Sequence, residues 1–204
     1  MVREVLVADG KTAATMPIPG GMVAKSAPES SMSLEFFVNA ATTQTISWRQ
    51  LLDCVVMASS STVGQDLFYS AKLHYVEVWT PATQAGVSYG GPSLAFDSPS
   101  QGDQKVYNIP IGPQGGYCKC VPSKRSINAW TWQASSSVTC FTLNSFSVGT
   151  FIRLSVTFRA RMGSAVTAAN ALSGATTGAI YLRGLDGQAK ASSVFNCVPY
   201  NFQI

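Results

Sequence analysis

The chain has 204 residues, of which 46% are apolar and only 12% charged, with a net charge of +4. A chain of this length buries roughly 70% of the surface its unfolded form exposes, so it needs no disulfide or metal staple to fold. Its charge share is about half the usual 25%, which argues against a freely dispersed monomer and for a surface covered by neighbours, and no apolar run is long enough for a membrane-spanning helix.

The charge is uneven. Residues 1–70 carry four basic and six acidic side chains, a net of −2, and residues 71–204 carry ten and four, a net of +6. No acidic residue lies between Asp103 and Asp186, whereas Lys105, Lys119, Lys124, Arg125, Arg153, Arg159, Arg161 and Arg183 all do. Such a region points either to a polyanionic partner or to a generally basic surface. The opening MVREVLVADGK places acids where a signal peptide needs an apolar run. The five cysteines are an odd number at irregular spacing, which favours free thiols in a reducing compartment.

In chain order, residues 1–31 are rich in Pro, Gly and Ser without a sustained period, and are expected to form an extended arm. Strand signals begin at Ser33, where Leu34, Phe36 and Val38 alternate with Ser33, Glu35 and Phe37; a second alternation carries Ile46 and Trp48. SWRQLLDCVVMAS holds the one helical pattern, with Ser47 and Gln50 placed for a capping box and Leu51, Leu52, Val55 and Val56 at helix spacing. KLHYVEVW at 72–79 is a strong strand with apolar residues on both faces, stopped by Pro81. Shorter strands are expected around 86–96, 104–111, 116–121, 127–133 and 137–143.

The clearest element is GTFIRLSVTFRARMG at 149–163. Ile152, Leu154, Val156, Phe158 and Ala160 take every second position, and Arg153, Ser155, Thr157, Arg159 and Arg161 fill the places between. A period of two makes one face apolar and the other polar and basic. Residues 164–179 are small and aperiodic and read as a loop, followed by strand-like pieces at 179–182 and 194–202. Many short strands between turn signals indicate a β-sandwich or jelly roll.

Catalytic chemistry finds little support. His74 is the single histidine and sits inside a strand, so a serine-hydrolase triad has no good base, and no nucleotide-binding glycine motif is present. Cys118 and Cys120 share a strand face, but a structural zinc site wants four ligands. Asp97 and Asp103 flank a turn-rich loop that could offer oxygens to calcium, although loop acids are mostly just solvated. Trp130 and Trp132 follow Lys124 and Arg125; stacking on a base or sugar competes there with plain packing. No metal, cofactor or enzymatic activity is expected.

Four stretches, SLEFFVNAATTQTISWRQLL, KLHYVEVWTP, PSKRSINAWTW and GTFIRLSVTFRARMG, resemble in order and spacing the tombusvirus-like shell domain of small icosahedral viruses. The resemblance spans residues 30–163 and extends to single jelly-roll capsid proteins of RNA and circular single-stranded DNA viruses. It implies an all-β, eight-stranded antiparallel jelly-roll β-sandwich with one or two short helices. The expected organisation is an arm at 1–31, a shell domain at 32–163 and a C-terminal extension of loop and short strands at 164–204. The implied function is a viral capsid protein of the virion that self-assembles into a shell of 60 copies or a multiple. Its partners would be copies of itself and a viral nucleic acid met by Lys124, Arg125, Arg153, Arg159 and Arg161, with no membrane.

One feature departs from the family: residues 1–31 hold only Arg3, Lys11 and Lys25, where such capsids carry a strongly basic arm. Sixty copies at +4 carry +240, whereas the 612 nucleotides that encode 204 residues carry one negative charge each. Counterions or another basic partner would supply the difference. The competing reading is a lectin-like carbohydrate-binding module with Trp79, Trp130 or Trp132 as its sugar platform.

Overall fold

The computed structural model describes residues 28–82, 91–96, 105–123, 131–160, 169–198 and 204. Most of the expected arm, the Asp97–Asp103 loop, Trp130 and parts of the expected strands at 86–96 and 127–133 lie outside these residues. In chain order the elements are β1 (Glu29–Val38), β2 (Thr42–Ser47), α1 (Trp48–Asp53), β3 (Val55–Ala58), β4 (Val63–Asp66), β5 (Phe68–Thr80), β6 (Ser93–Phe96) and β7 (Lys105–Asn108). There follow β8 (Gly116–Cys120), β9 (Gln133–Ala134), β10 (Thr139–Phe146), β11 (Phe151–Ala160), β12 (Ala169–Ala171), β13 (Ile180–Leu182) and β14 (Phe195–Val198).

The larger sheet has the order β14-β1-β11-β5-β8 with β9 paired to β5, the second is β2-β10-β6-β7, and a small third sheet is β12-β4-β3-β13. Eight strands, β1, β2, β5, β6, β7, β8, β10 and β11, build the sandwich. They pair first with last (β1 and β11), second with seventh (β2 and β10), third with sixth (β5 and β8) and fourth with fifth (β6 and β7). That order is a two-armed antiparallel ribbon wrapped on itself, which is the jelly roll.

Alternation dictates the core. On β11, Ile152, Leu154, Val156 and Phe158 are fully buried, and they meet Leu34, Phe36 and Val38 of β1 and Val76 and Val78 of β5. Ile46, Phe141, Leu143, Leu94 and Phe96 complete the core from the second sheet. The apolar residues on both faces of KLHYVEVW have a local cause. Ser155 pairs with Tyr75 and the next residue, Val156, with Leu73, so His74 is an extra residue bulged out of register. A one-residue insertion reverses which parity faces inward. Before it Leu73 points to the core, and after it Val76 and Val78 do.

The capping box forms as its spacing predicts: Gln50 N donates to Ser47 Oγ at 3.3 Å and Ser47 N donates to Gln50 Oε1 at 2.8 Å. The helix is nevertheless only six residues long. Val55 and Val56, expected to prolong its apolar face, instead open β3, which pairs with β4 and β13. A β-branched pair suits a pleated surface better than a helix, and two neighbouring strands outweigh one more helical turn. Residues 169–171, read as loop, are strand β12 on β4. From the expected extension, β12 and β13 complete the small sheet and β14 adds to β1 at the edge of the larger one, where Phe195 and Cys197 join the main core.

Candidate interface on the outer face of the larger sheet

The register of β1, β11, β5 and β8 places side chains from four distant stretches in rows across the outer face. One row is aromatic: Phe37, Phe151, Trp79 and Tyr117. Trp79 lies 5.1 Å from the Tyr117 ring and 5.5 Å from Phe151, while Phe37 and Tyr117 at the ends are 43% and 47% exposed. Two residues along the strands comes a row of alternating charge: Glu35, Arg153, Glu77 and Lys119. The next row is Ser33, Ser155 and Tyr75.

Two glycines make this register reachable. Gly115 adopts φ +80°, and a Cβ on Gly116 would run into the carbonyl of Pro110 and press on Thr80 Oγ1. Side-chain-free backbone lets β8 start tight against the end of β5, which sets Tyr117 beside Trp79.

The charged row is internally compensated. Arg153 Nε donates to Glu35 Oε2 at 3.0 Å, and its guanidinium lies 5.2 Å from the Trp79 ring. Tyr117 donates its hydroxyl hydrogen to Glu77 Oε1 at 2.7 Å, and that bond raises the phenol's pKa. Lys119 Nζ caps the Tyr75 ring at 3.6 Å. At the far end of β11, Arg159 pairs with Glu29 at 2.9 Å and stacks over Trp132 at 3.9 Å.

Of the five basic residues singled out for nucleic acid, Arg153 and Arg159 therefore share a face, as alternation predicts, but each holds a carboxylate of its own chain. Lys124, Arg125 and Arg161 lie outside the described residues. Glu29, Glu35, Phe37, Phe151 and Tyr117 were not singled out from the sequence, and Trp79 was singled out only as a sugar platform. Each strand's alternation says which of its residues share a face, but only the register says which meet.

A second polar constellation was missed altogether. Asp53, Asp66, Asn170, Arg183 and Asp186 are all buried where α1, β4, β12 and the chain after β13 converge. Asn170 Nδ2 donates to Asp66 Oδ1 at 2.9 Å and to Asp53 Oδ1 at 3.4 Å, and Arg49 reaches Asp53 at 3.3 Å. Burial, then the neighbouring Asp53 carboxylate, pushes Asp66 up to about 6. Asp186 accepts from Ser193 Oγ at 2.7 Å and from the amides of Gln188 and Val194. These bonds tie the C-terminal residues to the domain.

The other side chains weighed for chemistry fall in ordinary places. His74 is exposed on its bulge with Nε2 2.8 Å from Thr157 Oγ1, and burial, then Lys72, lowers its pKa. All five cysteines are free thiols, and the Cys118 and Cys120 sulfurs are 3.8 Å apart. Burial pushes the Cys54 and Cys140 thiols up and takes Cys197 to about 11, which keeps them protonated and unreactive.

Fold and face together define a jelly-roll β-sandwich whose larger sheet presents an ordered aromatic and charged outer surface. No family model and no curated protein matches the chain. Among solved structures it is similar to the virus-like particle of giant freshwater prawn Macrobrachium rosenbergii extra small virus, at 10% identity over 80% of this chain and 95% of that one, TM-score 0.39. It is also similar to the capsid protein of the BFDV 60-mer, at 12% identity over 70% of this chain and 98% of that one, TM-score 0.29. At these scores the fold assignment rests on the strand order itself.

Proposed function

We propose that the chain is a structural, non-enzymatic capsid protein that self-assembles, in 60 copies or a multiple, into an icosahedral virion shell around a nucleic acid genome. The observation that carries this reading is where apolar surface stands on the jelly roll. Phe37 and Tyr117 are exposed on the larger sheet, Met57 and Ile180 side by side on the small sheet, Val106 on β7, and Val138 and Val148 in loops. A closed shell brings one fold against its own copies around several axes, so exposed apolar side chains on several sides of the fold suit it. A lectin needs one open aromatic platform. Trp79 has Phe151, Tyr117 and Arg153 against its ring and Trp132 is covered by Arg159, so neither offers an open platform, and Trp130 lies outside the described residues.

Electron microscopy of the purified chain tests the shell: closed particles are expected, and a monodisperse 21.6 kDa monomer under every salt and pH condition would end the proposal. Genome contact is a separate part of it. Arg153, held by Glu35 and facing Glu77 in register, has least to offer a phosphate, so the contacts fall to Lys124, Arg125, Arg159 and Arg161. Arg159→Ala with Arg161→Ala should then flatten the slope of log affinity against log salt by about 1.4–1.8. An unchanged slope removes these two from the genome site.

A further inference from the structure

We infer that the outer face of the larger sheet is a two-fold docking surface for a second copy of the same chain. The inference rests on self-complementarity. Read from β1 to β8 the charged row is Glu35, Arg153, Glu77, Lys119, which is minus, plus, minus, plus. Turn a second copy over about a two-fold axis parallel to the strands, between β11 and β5, and its row arrives reversed. Glu35 then faces the second copy's Lys119 twice over, and Arg153 overlies its Glu77, which is only 9% exposed and already accepts from Tyr117. The same operation lays the aromatic row on itself, Phe37 against Tyr117 and Phe151 against Trp79. A palindromic sign order, such as plus, minus, minus, plus, would instead set like charge against like at every position.

The geometry is that of two sheets stacked face to face, which pack aligned at about 30° because both twist in the same sense. Four strands at about 4.8 Å by the five residues of β8 at about 3.3 Å give roughly 300 Å² per copy, or about 600 Å² in total. That is below the size of a stable specific interface, so the pair is weak alone and suited to being one contact among several. The exposed ends of the aromatic row, Phe37 and Tyr117, supply the apolar area that a paired face needs and a solvated one does not. Arg159 stays free of the central rows, so the pairing leaves the proposed genome contact untouched. It goes beyond the shell reading and does not depend on it.

Exchange of the row's ends tests it, with the full chain studied by sedimentation equilibrium over a concentration series. Lys119→Glu alone sets Glu35 against a glutamate, and Glu35→Lys alone sets lysine against Lys119, so each should weaken self-association at least tenfold. An equimolar mixture of the two restores every opposite-charge contact and should recover the wild-type association within about threefold. Wild-type behaviour by either variant, or no recovery on mixing, overturns the pairing. Phe37→Ser, on a side chain 43% exposed, should also weaken association at least tenfold at an unchanged melting temperature; no weakening overturns it as well. Particles that form normally from all these variants would reject the pairing and leave the shell reading standing. Pairs that never close into particles would do the opposite.

Discussion

The two faces of the larger sheet are built from the same strands and follow opposite rules. The inner face is uniform: Leu34, Phe36, Ile152, Leu154, Val156, Phe158, Val76 and Val78 are apolar and closed to water. Any one of them is held by volume and contact with its neighbours. The outer face is a set of dissimilar rows, each satisfied by a specific cross-strand partner, as Arg153 is by Glu35 and Tyr117 by Glu77. Non-directional burial stabilises the first, and its energy scales with area. Directional pairing organises the second, at solvent-screened strength. A fold can therefore lose much of its outer face and stand, but little of its inner one.

The sharpest way to break this comparison is Phe158→Ala. Phe158 is fully buried and stacks on Phe68 at 4.6 Å, so the substitution should cost roughly 3–5 kcal/mol, a large part of a domain's usual margin of about 5–15 kcal/mol. Urea unfolding would measure it; a midpoint within error of wild type would mean the face is misassigned.

An intermediate effect is expected where polarity is buried. Asp66 titrates near 6 in the fold against 3.8 for an ordinary aspartate, so the folded state binds the proton more tightly than the unfolded one. The stability this contributes is complete below about pH 4 and is lost as pH rises through 6. Asp66→Asn keeps the shape and removes the titration. It should leave the protein about 1–2 kcal/mol more stable than wild type at pH 7.5 and no more stable at pH 4, after allowance for solvent screening. Melting curves at the two pH values check this, and a gap that does not change with pH would contradict it.

The smallest effect belongs to the outer face itself. Arg153→Ala removes an ion pair that is partly open to water, with side chains 37% and 29% exposed, and should change stability by only about 0.2–1 kcal/mol. The contrast with Phe158→Ala on the same strand, five residues away, is the measurement that matters. Equal losses at both positions would erase the distinction between the faces.

Much of the larger sheet was legible in the chain. The alternation of 149–163 predicts which side of β11 is buried residue by residue, because side-chain period and pleat are local properties of a strand. The capping box at Ser47 and Gln50 was legible for the same reason: its partners are three residues apart. The bulge was not. KLHYVEVW shows apolar residues of both parities, but only pairing with β11 reveals that His74 is the extra residue. Val55 and Val56 fit a helix locally and became a strand because β4 and β13, the latter more than 100 residues further on, offered them a ladder.

Sequence alone thus determined the class, the long strands of the larger sheet, the buried face of the central strand and a low share of charge. Tertiary structure decided everything that depends on who lies beside whom. It gave Glu35 to Arg153 and Glu29 to Arg159, gathered Phe37, Phe151, Trp79 and Tyr117 into one row, and closed Asp53, Asp66 and Asn170 into a buried cluster. The physical reason is range. Hydrophobic periodicity is written in consecutive residues, whereas cross-strand register is fixed by loop closure and core packing over the whole chain, and the chemistry of this surface lives in the register.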